Sequence, residues 1–126
     1  MEQYHGHSGR KTSGSGGKVR DSYGVKLHEI GGPFTATKCS DINVGVGRRV
    51  RGGRTKVKLK KAAHVNVLTE EGMRKVTIRT VVETPDNRHY ARKNIITKGA
   101  ILDTEVGKVK VTNRVGQDGI VNGVPI

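Results

Sequence analysis

After Pro33, hydrophobic and polar residues alternate with a period of two, broken by short turn sequences. This is the pattern of half-buried β-strands. Val46, Arg48 and Val50 alternate with Gly47, Arg49 and Arg51, and residues 55–60 alternate again after Gly52-Gly53. Val65 and Val67 fall on one side of the next run, His64 and Asn66 on the other. Glu70-Glu71-Gly72 reads as a turn, and residues 75–82 as a strand with Val76 and Ile78 facing inward. Thr84-Pro85-Asp86-Asn87 ends that strand, because proline cannot donate to a ladder and Asp and Asn favour turns. Further strands are expected around Ile95-Ile96 and residues 100–106, 108–115 and 119–124, with turns at Lys98-Gly99, Gly107 and Gln117-Asp118-Gly119. No 12-residue stretch carries a 3.6-residue period. The expected fold is all-β: a small barrel of short, mostly antiparallel strands over residues 33–126.

Residues 1–32 lack this pattern. They are rich in Gly, Ser, His and charge, and Gly14-Ser15-Gly16-Gly17 offers nothing to pack. Such a segment buries too little apolar surface to offset its ordering entropy. It is expected to be a mobile, basic N-terminal extension that orders against a partner. The whole chain, at 126 residues, fits a single domain of modest core. Its apolar residues are mainly Val, Ile and Leu, with one Phe, three Tyr and no Trp, which suits pleated sheet; its 18 glycines suit frequent tight turns.

Charge changes the picture most. With 24 Lys and Arg against 11 Asp and Glu, the formal charge is +13. Self-repulsion of that size opposes compaction, and a polyanion relieves it while releasing counterions. No apolar run approaches the ~18 residues of a spanning helix, and the start is not that of a signal peptide, so a cytoplasmic protein without a membrane partner is expected. A single cysteine, Cys39, excludes an internal disulfide and the usual multi-cysteine zinc site.

The cations cluster. Residues 48–61 hold Arg48, Arg49, Arg51, Arg54, Lys56, Lys58, Lys60 and Lys61 and no acid. Gly52-Gly53 suits a two-residue hairpin turn, which would set Arg51 opposite Arg54, Arg49 opposite Lys56 and Gly47 opposite Lys58. Arg49, Arg51, Arg54, Lys56 and Lys58 would then share one face, and Val46, Arg48, Val50, Thr55, Val57 and Leu59 the other. Solvated faces usually mix signs, and like charges opposite one another destabilise a sheet, so the ladder points to a nucleic-acid backbone lying along it. Five to eight phosphate contacts would make binding steeply salt-dependent. A second patch follows the Pro85 turn. There Arg88, Arg92 and Lys93, with Lys98 beyond, would meet phosphates, while His89 and Tyr90 would stack on or hydrogen-bond to exposed bases. Tyr90 is weighed against a plain core role, because the chain has few aromatics.

Other features carry less. His5-Gly6-His7 supplies two ligands in an extension and no metal site. Gly45-Val46-Gly47 lacks the third glycine of a dinucleotide loop. Asp103 and Glu105 would lie on one strand face without a His, Ser or Cys partner, so no catalytic constellation is found. Cys39 reads as a small buried thiol rather than a reactive one. Neither metal nor cofactor is expected.

Two stretches look familiar. Residues 87–101, beginning Asn87-Arg88-His89-Tyr90-Ala91-Arg92-Lys93-Asn94, and residues 111–122, with Gly116-Gln117-Asp118-Gly119, resemble the archaeal and eukaryotic type of protein eight of the small ribosomal subunit. That family's Arg-Gly-Gly-x-x-Lys segment matches Arg51-Gly52-Gly53-Arg54-Thr55-Lys56, and its N-terminal pattern is echoed by Gly6-His7-Ser8-Gly9-Arg10-Lys11 and Gly16-Gly17. The short length resembles the archaeal form. The resemblance implies a β-barrel body, a basic extension threading into ribosomal RNA through residues such as Arg10 and Lys11, and no catalytic activity. With only Arg10, Lys11, Lys18, Arg20 and Lys26, this extension is less cationic than the family pattern. The expected function is that of a structural constituent of the small ribosomal subunit, monomeric when free. Its partners would be small-subunit ribosomal RNA and neighbouring ribosomal proteins. The competing reading is a free-standing nucleic-acid-binding barrel, such as an assembly factor or chromatin-type protein; an RNA-processing enzyme comes third.

Overall fold

The computed structural model describes Tyr4 and residues 9–11, 13–20 and 23–126, and divides into two compact units, Met1–Phe34 and Thr35–Ile126. Within the first unit, Arg10 pairs with Lys18 in a short antiparallel bridge, closed by Lys11 N–H to the Gly17 carbonyl (2.9 Å) and Val19 N–H to the Gly9 carbonyl (3.0 Å). Leu27–Glu29 form a single 3-10 turn. Beside it, the Lys26 ammonium lies 4.6 Å from the centre of the Tyr23 ring.

The second unit is built from nine strands and two short helices. In chain order they are β1 (Thr37–Cys39), β2 (Val44–Arg49), β3 (Thr55–Ala62), β4 (His64–Thr69), β5 (Gly72–Glu83), α1 (Arg88–Arg92), β6 (Ile95–Ile96), β7 (Ile101–Thr104), β8 (Gly107–Val111), α2 (Val115–Asp118) and β9 (Asn122–Pro125). Strands β4-β5-β7-β8-β9 close into a barrel, and β2-β3-β1-β6 form a four-stranded sheet. The all-β barrel read from the sequence is therefore the fold observed. All pairings are antiparallel except β1 with β3 and β4 with β9.

The period-two pattern fills the barrel. Val65, Val67, Val76, Ile78, Leu102, Val109 and Val111 are buried in one core cluster, each worth about 1.5–3 kcal/mol relative to exposure. The interior is tight. A Cβ on Gly123 would come within 2.4 Å of the Val109 side chain, so only glycine fits where β9 crosses β8. Three expected strands are shorter than their pattern suggested: the run 100–106 is strand only over Ile101–Thr104. The run 108–115 ends at Val111, and Val115 instead starts α2; the run 119–124 begins as strand only at Asn122. Glu105 lies in the β7–β8 turn rather than beside Asp103 on the strand.

Candidate nucleic-acid interface

The β2–β3 hairpin carries the densest charge, and its register differs from the sequence expectation. The loop is not the two-residue Gly52-Gly53 turn. It spans Val50 to Arg54, closed by Val50 N–H to the Arg54 carbonyl (2.8 Å), with Gly52 and Gly53 both at positive φ (82° and 76°). Cα partners are Arg49 with Thr55, Arg48 with Lys56, Gly47 with Val57, Val46 with Lys58 and Gly45 with Leu59. One position of register exchanges the faces of a strand. Arg49 therefore lies on the side of Val57 and Leu59, and Arg48 takes the place expected for Arg49 beside Lys56 and Lys58. The proposed grouping of Arg49 with Lys56 and Lys58, and of Arg48 with Val57 and Leu59, is overturned.

A same-sign ladder nonetheless remains. Arg48 directly faces Lys56 across β2–β3, Lys58 follows on the same face, and an irregularity between Leu59 and Lys61 sets Lys60 out of register. Across the parallel β1–β3 pair, Lys38 faces Lys61; the sequence reading passed over Lys38, although buried Thr37 beside it marks it as outward. Arg48, Arg49, Arg54, Lys56, Lys60 and Lys61 are exposed and Lys58 is half-buried. The side chain of Arg51 lies outside the described residues. Each like-charged pair placed opposite costs a few tenths of a kcal/mol to about 1 kcal/mol.

The other face of the hairpin is covered only at its barrel end, while Arg49, Thr55 and Val57 on it stay exposed. Leu59 is buried, and α2 packs on β3. The Gly-Gln-Asp-Gly stretch makes this docking possible. Gly119 caps α2 at φ 75°, and a Cβ there would stand 3.1 Å from both the Val57 Cβ and its carbonyl oxygen. A Cβ on Gly116 would meet the Thr35 Cβ almost as closely, at 3.2 Å. Asp118 ties the helix to the preceding loop by accepting from Asn113 Nδ2 (3.1 Å) and Arg114 N–H (3.0 Å).

The second patch after the Pro85 turn is helical. The Asn87 side chain accepts from His89 N–H (2.9 Å) and so starts α1. Arg88 and Arg92 stand four residues apart and share a helix face; His89 and Lys93 have the same spacing. All four are exposed, as is Lys98, while Tyr90 is half-buried and Ala91 packs against the core. In the first unit, Arg10 and Lys11 are exposed.

Charge is divided unevenly within Thr35–Ile126. The sheet and its loops, residues 35–63 and 84–100, hold thirteen Lys and Arg and two acids (Asp41 and Asp86). The barrel segments, residues 64–83 and 101–126, hold six of each. Among the described residues of this unit one ion pair forms, Arg74 with Glu71, both on the barrel side. The sheet's described cations are thus not neutralised by the unit's own carboxylates. Cys39, half-buried between the two parts, points its thiol at the Ile78 and Arg79 carbonyls (3.7 Å each). Burial, and secondarily the Asp41 carboxylate, push its pKa up, as expected of an unreactive thiol. No group of three or more His, Cys, Asp or Glu that could hold a metal occurs among the described residues, and no helix among them is long and apolar enough to cross a membrane.

A closed barrel flanked by a cationic sheet defines a small basic β-barrel protein. Comparison with known proteins gives the family. Residues 4–126 match the family described as Ribosomal protein S8e. The chain is 49% identical to "Small ribosomal subunit protein eS8" of Hyperthermus butylicus, over all of this chain and 93% of that protein. It is 48% identical to the protein of the same name from Staphylothermus marinus and 45% identical to that from Sulfolobus acidocaldarius, in both cases over 98% of this chain and 97% of the relative. The chain belongs to the Ribosomal protein S8e family: it is a structural ribosomal protein of the cytoplasm and not an enzyme.

Proposed function

We propose that this protein is a structural constituent of the small ribosomal subunit that binds ribosomal RNA by neutralising phosphates along the β2–β3–β1 sheet. The observation that carries the reading is the ladder itself: Arg48 opposite Lys56 and Lys38 opposite Lys61, in a region with thirteen cations and two acids. Such pairings cost the free protein stability and are repaid when an RNA backbone lies against them and releases its counterions. Arg54, Lys58, Lys60 and Lys61 extend the contact along the hairpin. Arg88, His89, Arg92, Lys93 and Lys98 form a second contact, with half-buried Tyr90 as the ring for stacking. Arg49 meets phosphates from the opposite side of β2, and Arg51 at the loop. The N-terminal residues, through Arg10 and Lys11, act as an extension that orders against RNA. Held this way, RNA helices approach each other more closely than their own repulsion allows. Neighbouring ribosomal proteins complete the surroundings, and the protein is monomeric when free.

The test is a salt series of binding to small-subunit RNA with the Arg48→Glu/Lys56→Glu double variant. Affinity at low salt should fall roughly 100-fold, and the slope of log K against log salt should become shallower by about 2, with an unchanged melting transition. Wild-type affinity in a folded double variant would rule the sheet out as the principal contact.

A further inference from the structure

A cleft of about 270 Å³ opens where the four-stranded sheet meets the barrel. Its floor is apolar, formed by buried Leu59 and Val121 with half-exposed Ile120. Its rim is polar and holds His64, Asn66 and Lys75, with no acid among the lining residues. Asn66 and Lys75 belong to a row that runs on past the cleft lining to Asn122. Asn66 on β4 is the Cα partner of Lys75 on β5 and of Asn122 on β9, so three adjacent strands present Lys75, Asn66 and Asn122 side by side on the barrel's outer surface.

The two amides are locked together, with Asn66 Nδ2 donating to Asn122 Oδ1 at 3.0 Å. That bond uses one amide hydrogen of Asn66 and leaves its Oδ1 as an acceptor beside its second amide hydrogen as a donor. An adjacent acceptor and donor held at fixed spacing is the complement of a nucleobase edge, the pattern by which a single Asn reads adenine. The apolar floor suits a base's faces, Lys75 suits a carbonyl oxygen or phosphate next to it, and the missing acid leaves nothing to repel RNA. The size, just under the roughly 300–1,000 Å³ of small-molecule pockets, fits one ring system rather than a whole nucleotide.

We propose that this cleft receives one unpaired nucleobase of the bound RNA, read by the Asn66 amide, which Asn122 holds in place, and braced by Lys75 and His64. The proposal rests on the protein binding small-subunit RNA, and goes beyond it by adding a base-reading contact to a phosphate-neutralising one. Phosphate contacts position, and base contacts specify.

Full-length protein bound to small-subunit ribosomal RNA would be probed with base-specific reagents (dimethyl sulfate, kethoxal and carbodiimide) and, in parallel, with hydroxyl radicals that report the backbone. Wild type should protect at least one unpaired base that Asn66→Ala exposes again. The backbone footprint should persist, with about a tenfold loss of affinity and an unchanged salt slope. Asn66→Asp preserves side-chain size while replacing the amide donor by an acceptor, and should lose the same protection even if Asn66→Ala folds poorly. Identical base protections in wild type and Asn66→Asp would overturn the base pocket while leaving phosphate binding intact. Loss of both footprints in wild type itself would overturn the RNA-binding reading and the pocket with it.

Discussion

The barrel and the sheet are made from one stretch of chain but by opposite rules. Residues 64–83 and 101–126 balance six cations with six acids, and bury Val65, Val67, Leu102, Val109 and Val111 at 1% exposure or less. Residues 35–63 and 84–100 carry a net charge of +11, set like charges face to face, and leave Val46 and Val57 40% and 49% exposed on the hairpin. The barrel is where hydrophobic burial outweighs chain entropy. The sheet is where that stability is spent on holding cations closer together than water alone favours. Separating the two tasks lets the charged surface change without endangering the core.

The comparison can be broken from either side. Leu102→Ala, deep in the barrel, should cost about 2–5 kcal/mol, measured by denaturant unfolding. The Arg48→Glu/Lys56→Glu pair, though chemically more drastic, should leave unfolding unchanged or slightly less favourable, because a like-charge contact becomes a like-charge contact of the other sign amid many cations. A large loss of stability in the double variant would mean the sheet is structural after all. Gly119→Ala probes the seam. Its positive φ and the closeness of Val57 should cost about 1–3 kcal/mol, and should weaken RNA binding only as far as α2 releases β3. Full affinity in a destabilised Gly119→Ala protein would show that covering the back of the hairpin is irrelevant to its front. The smallest effect concerns Cys39. Because its folded pKa is raised, the unfolded chain loses this proton first, so folding stability should decline slightly as pH rises through the thiol range. Alkylation at pH 8 should also be slower in the native protein than in urea, and equal rates would place the thiol outside the packing between β1 and β5.

Within each strand the sequence was readable, because alternation is local: Val65, Val67, Val76 and Ile78 point inward as their spacing requires. Between strands it was less so. The register of β2 against β3 depends on how Val50 and Arg54 close the loop, a property of five residues that the Gly52-Gly53 pair alone does not specify, and one step exchanged Arg48 and Arg49. Helices α1 and α2 are five and four residues long, too short for any period to emerge. Their signals are caps: Asn87 before α1, Asp118 and Gly119 at the end of α2. The cleft residues His64 and Asn66 were visible as the polar side of β4, but no role was attached to them. Asn122 joins Asn66 only when β9 closes the barrel, a parallel pairing between residues 56 positions apart that no local pattern announces.

The central claim is that RNA lies on the sheet and not on the barrel's charge-balanced β7–β8 hairpin, where Asp103 faces Lys108. Ultraviolet or chemical crosslinking of the full chain to small-subunit RNA, with the linked peptides mapped by mass spectrometry, compares the two surfaces in one experiment. Crosslinks at Lys56, Lys58, Lys60 and Lys61, with none at Lys108, are the predicted result. Crosslinks concentrated at Lys108 and Lys110, with the β3 lysines free, would contradict it.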